Sequence, residues 1–124
     1  MYFNIFGNMR KLGILLCVFA TLFLMACKKN VIKADKNFSG EWENVGAVAY
    51  YDLSIGGGGY ANYEGYDGRV NETQMGEAKV NKRKDEFIIG KRKWKINAYP
   101  HEVSDPTAGL VWKMSLDGVE YTKY

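Results

Sequence analysis

Histidine occurs once in this chain and cysteine and proline twice each, and each scarcity excludes something. His101 has only Glu102 and Asp105 near it in sequence, whereas a metal site wants two or more histidine or cysteine ligands. We read it as an exposed loop histidine and expect no metal. Ser39, Ser54, Ser104 and Ser115 stand in no nucleophile motif, and the carboxylates are spread along alternating faces, so an enzyme is not expected. The run Gly56 to Gly59 has no lysine or hydroxyl residue in P-loop spacing after it, so no cofactor is expected. After Phe38 helical periodicity is absent, and no internal repeat longer than a hairpin is visible.

The first thirty residues also lack acids. Arg10 and Lys11 precede an apolar run from Leu12 to Ala26, a signal-peptide layout and shorter than the roughly 20 residues that cross a bilayer comfortably. The tetrad Leu24, Met25, Ala26 and Cys27 resembles a bacterial lipobox. A small Ala26 lets the scissile bond enter a tight peptidase site, and the Cys27 thiolate is a soft nucleophile able to accept a diacylglyceryl group. Acyl chains then hold the protein, each buried methylene contributing about 0.8 kcal/mol.

Residues 1–26 are thus expected to form a signal-peptide helix that is removed, 27–37 a lipidated polar tether and 38–124 a single domain. Cys17 leaves with the signal, so no disulfide and no cysteine-based metal site remain. Loss of Arg10 and Lys11 leaves 15 basic against 14 acidic residues, a net charge of +1, which gives no broad field for nucleic acid. The membrane, through the N-terminal lipid, is the expected partner. Lys28 and Lys29, the residues directly after Cys27, include no aspartate and begin no acidic cluster of the surface-export kind, so an outer-membrane anchor facing the periplasm is expected.

From Phe38 the pattern is period-2. Ala49, Tyr51, Leu53 and Ile55 share one face; so do Gly76, Ala78 and Val80, then Arg92, Trp94 and Ile96, then Leu110, Trp112, Met114 and Leu116. One-sided burial in an antiparallel sheet produces this alternation. Asp117-Gly118 predicts a type I′ hairpin that sets Leu116 opposite Val119 and Met114 opposite Tyr121. Gly90-Lys91, Asp67-Gly68 and Gly56 to Gly59 predict further turns. Pro100 and Pro106 are expected to bracket a loop. Strands near Trp42, Tyr50, Tyr60, Ala78, Phe87, Trp94, Trp112 and Tyr121 give an all-β, antiparallel up-and-down meander of about eight strands. Closure into a small barrel removes its edges; a two-sheet β-sandwich is the alternative.

The opening FSGEW, with Gly40 two places before Trp42, is similar to the start of lipocalin-type barrels, in which the tryptophan plugs the closed end. The order GEAKV, EFIIGKRKWKIN, proline, VWKMSLDGVEYTKY resembles small lipocalin-like lipoproteins of Bacteroidetes, over most of residues 38–124. The resemblance implies a barrel domain on a lipid anchor.

Two surfaces are candidates for a ligand or partner. Tyr60, Tyr63 and Tyr66 put rings on both faces of one strand, able to stack on sugars or fit a protein, although ordinary cross-strand packing is the favoured reading. Residues 79 to 95, including Arg83, Lys84 and Arg92, are strongly basic, suited to an anionic glycan, headgroup or acidic partner, although a solvated face guarding a strand edge is the favoured reading. The function expected is a lipid-anchored, non-catalytic binding module of the bacterial envelope, with a small amphiphile, glycan or protein as ligand. The alternative is a periplasmic hydrolase inhibitor or immunity protein, and a purely structural envelope protein comes third.

Overall fold

The computed structural model describes residues 28–124; the expected signal helix, the lipobox and Cys27 lie outside them. Nine strands are present: β1 (Lys28–Asn30), β2 (Gly40–Val45), β3 (Tyr50–Ile55), β4 (Tyr60–Tyr66), β5 (Asn71–Asn81), β6 (Glu86–Ile89), β7 (Arg92–Asp105), β8 (Gly109–Leu116) and β9 (Val119–Lys123). From β2 to β9 each strand pairs antiparallel with the next, and the ring closes where Glu43 of β2 meets Thr122 of β9. The molecule is an eight-stranded up-and-down barrel with one extra strand. Closure rules out the two-sheet sandwich.

The turns form for the reasons the sequence gives. Asp117 and Gly118 both have positive φ, 49° and 76°, and Leu116 faces Val119 while Met114 faces Tyr121, as a type I′ hairpin requires. In the β4–β5 turn the Asp67 carboxylate accepts from the N–H groups of Arg69 and Val70 at 2.8 and 2.9 Å. These two bonds hold its own acid well below the usual carboxylate range.

β5 changes partners along its length. Asn71 to Glu77 pair with Tyr66 to Tyr60 of β4, and Ala78 to Asn81 with Ile89 to Glu86 of β6. The switch falls beside Gly76, whose φ of +149° an L side chain rarely adopts. β1 takes the place that β4 vacates, with Lys28, Lys29 and Asn30 opposite Asn81, Val80 and Lys79.

Two expectations fail here. The segment Lys28–Asn37 is no coil-like tether. After β1 it forms a short helix, α1 (Val31–Ala34), and a 3-10 turn at Lys36–Phe38. Val31 and Phe38 are fully buried, because even two apolar side chains in a polar stretch are enough to dock it when strand pairing already positions them. Nor is the stretch from Tyr99 to Pro106 a loop: β7 runs through Pro100 to Asp105. The register shifts between Ala98 and His101, so Pro100 sits at a bulge where its missing N–H breaks no regular rung.

Inside the barrel, alternation gives a continuous core from Val31 to Tyr121. All nine strands and this core lie within residues 28–124. At the end where α1 docks, Trp42 is fully buried and its indole donates to the Phe38 carbonyl at 2.8 Å. Lys123 crosses over it, 4.8 Å from the ring, and donates to the carbonyls of Asn37 and Ser39 at 2.8 and 2.7 Å. In mid-barrel Phe87 lies between Phe38 and Trp94, at centroid distances of 6.0 and 5.6 Å. Aromatic rings fill this part of the interior. No helix among the described residues is long and apolar enough to cross a membrane.

Candidate functional site at the barrel mouth

The hairpin turns at residues 46–49, 67–70, 90–91 and 117–118 gather at the end of the barrel opposite α1. Here the interior opens into a cavity of about 230 Å³, lined chiefly by Tyr51, Tyr63, Glu72, Arg92, Trp94 and Tyr121. Asp67, Val70, Asp117 and Val119 form its rim.

Arg92 is at the centre of this arrangement. β7 sends it inward on the same face as Trp94, and its guanidinium lies 4.3 Å over the Trp94 ring. It pairs with Glu72 at 2.9 Å and with Asp117 at 3.2 Å. The bond to Glu72 spans the wall where β5 and β7 have no backbone pairing, since the β5–β6 ladder stops at Ala78, and the bond to Asp117 ties β7 to the β8–β9 turn. Burial pulls the Arg92 guanidinium down, and the two carboxylates outweigh it, so its net shift is upward. A planar fork binding two carboxylates while stacked on an indole uses properties that lysine lacks.

Below Arg92 the floor is aromatic. Tyr63 meets Trp94 edge-on, centroids 4.9 Å apart at 69°, and Tyr51 meets Tyr121 similarly at 6.3 Å. Gly65 makes room for this packing, since a Cβ there would come within 2.8 Å of Tyr63 Cζ. Burial raises the pKa of both Tyr63 and Tyr121, with Glu72 adding to the rise at Tyr63 and the neighbouring Tyr63 at Tyr121. Both therefore stay neutral hydroxyls in ordinary conditions. The three lining carboxylates Asp67, Glu72 and Asp117 against Arg92 give the mouth a formal charge of −2, so its electrostatics disfavour an anionic guest.

Of the residues singled out by sequence, Tyr63 and Arg92 come together in this mouth. The others do not. Tyr66 lies on the outer face, its ring 6.0 Å from Tyr50 and its hydroxyl donating to the Gly68 carbonyl at 3.0 Å. Tyr60 is exposed at the other end of β4, and Arg83 and Lys84 occupy the β5–β6 turn at the α1 end. Sequence reasoning missed Glu72, Trp94, Asp117 and Tyr121 as site residues. Extending the β5 alternation upstream of Gly76 would have put Gln74 and Glu72 on the inward face, where a carboxylate demands a cation.

Among the described residues no group of three or more histidine, cysteine, aspartate or glutamate side chains could hold a metal ion. No protein-family model matches the chain, and no curated protein or solved structure gives a significant match.

Proposed function

We propose that this chain is a lipid-anchored, non-catalytic binding module of the bacterial envelope whose barrel mouth takes a small amphiphile. The observation that carries the reading is the mouth itself: aromatic walls, two neutral tyrosine hydroxyls and a guanidinium already held by two carboxylates. At about 230 Å³ it is smaller than the roughly 300–1,000 Å³ of drug-sized sites. The aromatic side chains beneath leave no channel for a long acyl chain. The ligand class that fits is a compact aromatic or aliphatic body with a neutral or cationic head. A fatty-acid carboxylate would meet a net negative rim and compete with Glu72 and Asp117 for Arg92. The anchor follows from the lipobox-like LMAC at residues 24–27, and the outer membrane, periplasmic side, is the compartment proposed with it.

A matched set tests the mouth. Benzylamine, benzyl alcohol and benzoate share a ring and differ in head charge. Trp94 resonances should shift with the first two and far less with benzoate, and Val70→Trp at the exposed rim should weaken all binding. Shifts equal for all three, or binding unchanged by Val70→Trp, would count against this site. The inhibitor reading is tested by pull-down from envelope extract: one stoichiometric hydrolase, with no small molecule retained, would replace the amphiphile reading.

A further inference from the structure

The charges on the outer wall are sorted by strand. β2, β3 and β4 carry Glu41, Glu43, Asp52 and Glu64 and no lysine or arginine at all. On the opposite wall the registers form two neighbouring outward rows across four strands. One runs Asn30, Lys79, Ile88, Lys93, and the other Lys28, Asn81, Glu86, Lys95. Lys84 joins them from the turn, where its carbonyl accepts from Lys95 Nζ at 3.1 Å. Lys28, Lys79, Lys84, Lys93 and Lys95 are all exposed, while Asp85 and Glu86 are the only acids within these rows and their turn.

Edge protection accounts for Lys28 on the open edge of β1 and does not explain Lys79, Lys93 and Lys95, since β5 at Lys79 is flanked by β1 and β6. β6 and β7 each pair on both sides inside a closed barrel, so they have no edge to guard. Ile88, though it points outward, is only 4% exposed. It sits between Lys79 and Lys93 in register, where aliphatic stems can cover it while the ammonium groups stand out to solvent.

We infer that this basic wall lies on anionic lipid headgroups, with the acidic wall of β2–β4 turned away from the bilayer. The location of Lys28 supplies the direction. It is the residue after Cys27, and β1 fixes it within the basic rows, so an acyl group on Cys27 would leave the barrel beside this wall. That direction rests on the lipid-anchor reading; the affinity of the wall for anionic lipid does not.

The affinity is measured on the unacylated chain beginning at Cys27, by co-sedimentation with phosphatidylcholine vesicles with and without phosphatidylglycerol. Binding is expected only to the anionic vesicles and should fall with added salt. Each surface charge removed should weaken partitioning about fivefold, so Lys28→Gln, Lys79→Gln and Lys93→Gln together should cost about a hundredfold. Glu41→Gln, Glu43→Gln and Asp52→Asn on the far wall should not weaken it. Equal binding to neutral and anionic vesicles, a triple lysine variant that binds like wild type, or retention on dextran sulfate without vesicle binding would overturn the inference. Mass spectrometry of Cys27 from cells separates the two readings. An acylated Cys27 with no anionic preference refutes the wall and leaves the anchor. Anionic binding with unmodified Cys27 refutes the anchor and leaves the wall.

Discussion

Replacing Lys123 by methionine removes one charge and keeps most of the stem. The lost interactions are two hydrogen bonds from an ammonium to the carbonyls of Asn37 and Ser39 and a position over the rings of Trp42 and Trp112, 4.8 and 5.4 Å away. Charge-assisted hydrogen bonds contribute about 1.5–3 kcal/mol each and a partly exposed cation–π contact about 0.5–1. Against this stands the cost of burying the ammonium, which lowers the Lys123 pKa although Asp35 opposes the shift. The net expected loss is about 2–3 kcal/mol, or roughly 10–20 °C in Tm for a domain of about 100 residues. Gly40 reports on the same contact, because a Cβ there would lie 2.5 Å from Lys123 Cδ and its φ is +123°. Gly40→Ala should cost about 3 kcal/mol in the wild type, from clash and backbone strain together. With Lys123→Ala as background, only the strain remains, so the two changes should couple by about 1 kcal/mol. Urea denaturation of the five chains, starting at Cys27, measures this: wild type, Lys123→Met, Lys123→Ala, Gly40→Ala and the double Gly40→Ala, Lys123→Ala. A methionine variant within about 0.5 kcal/mol of wild type, together with additive Gly40 and Lys123 effects, would refute the clamp.

Alkaline pH should destabilise the fold: burial, and for Tyr99 also Asp85 at 2.8 Å, raises the pKa of Tyr63, Tyr99 and Tyr121, with Tyr99 moved to about 12. The stability these groups contribute is full below the ordinary tyrosine value of 10.0 and is lost as pH rises through the folded values; Tyr99→Phe should flatten the denaturation midpoint between about pH 10 and 12. Arg92→Met should cost about 1–2 kcal/mol by leaving Glu72 and Asp117 without their cation, and Arg92→Lys should recover only part of it in urea melts, since one ammonium cannot fork to both. Cys27→Ser should abolish acylation and signal processing, whereas Cys17→Ser should leave both intact, as seen by mass spectrometry of the N-terminus. Gly118→Ala should cost about 1 kcal/mol, because φ there is +76°.

The barrel was legible because its information is local. Period-2 alternation set which side chains face inward, and Asp117-Gly118 fixed a register that the structure reproduces residue for residue. Where tertiary context decides, the reading failed. Leu110 belongs to the apolar set of β8 by spacing but is 70% exposed at the hairpin tip, while Val111 on the opposite face is 1% exposed. Pro100 signalled a break that a bulge absorbs. The mouth was half legible: Tyr63 and Arg92 were named, yet in separate surfaces. What joins them is Trp94, against which Tyr63 packs edge-on and over which Arg92 lies, and no sequence spacing encodes a meeting of β4 with β7 across the barrel.

The pairing of β1 with β5 has a mechanical consequence. Because Lys28 is already a rung of the sheet, whatever is attached at residue 27 is coupled to the barrel with almost no slack. The segment up to Asn37 is nevertheless outside the closed ring of β2–β9, so peeling it away opens no strand of that ring. Ten residues so released span up to about 35 Å when pulled straight, or about 18 Å as a relaxed coil. The N-terminal segment is thus a folded leash: it is wound in at rest, and under load its first resistance is three rungs and one buried valine, with the barrel still intact behind it.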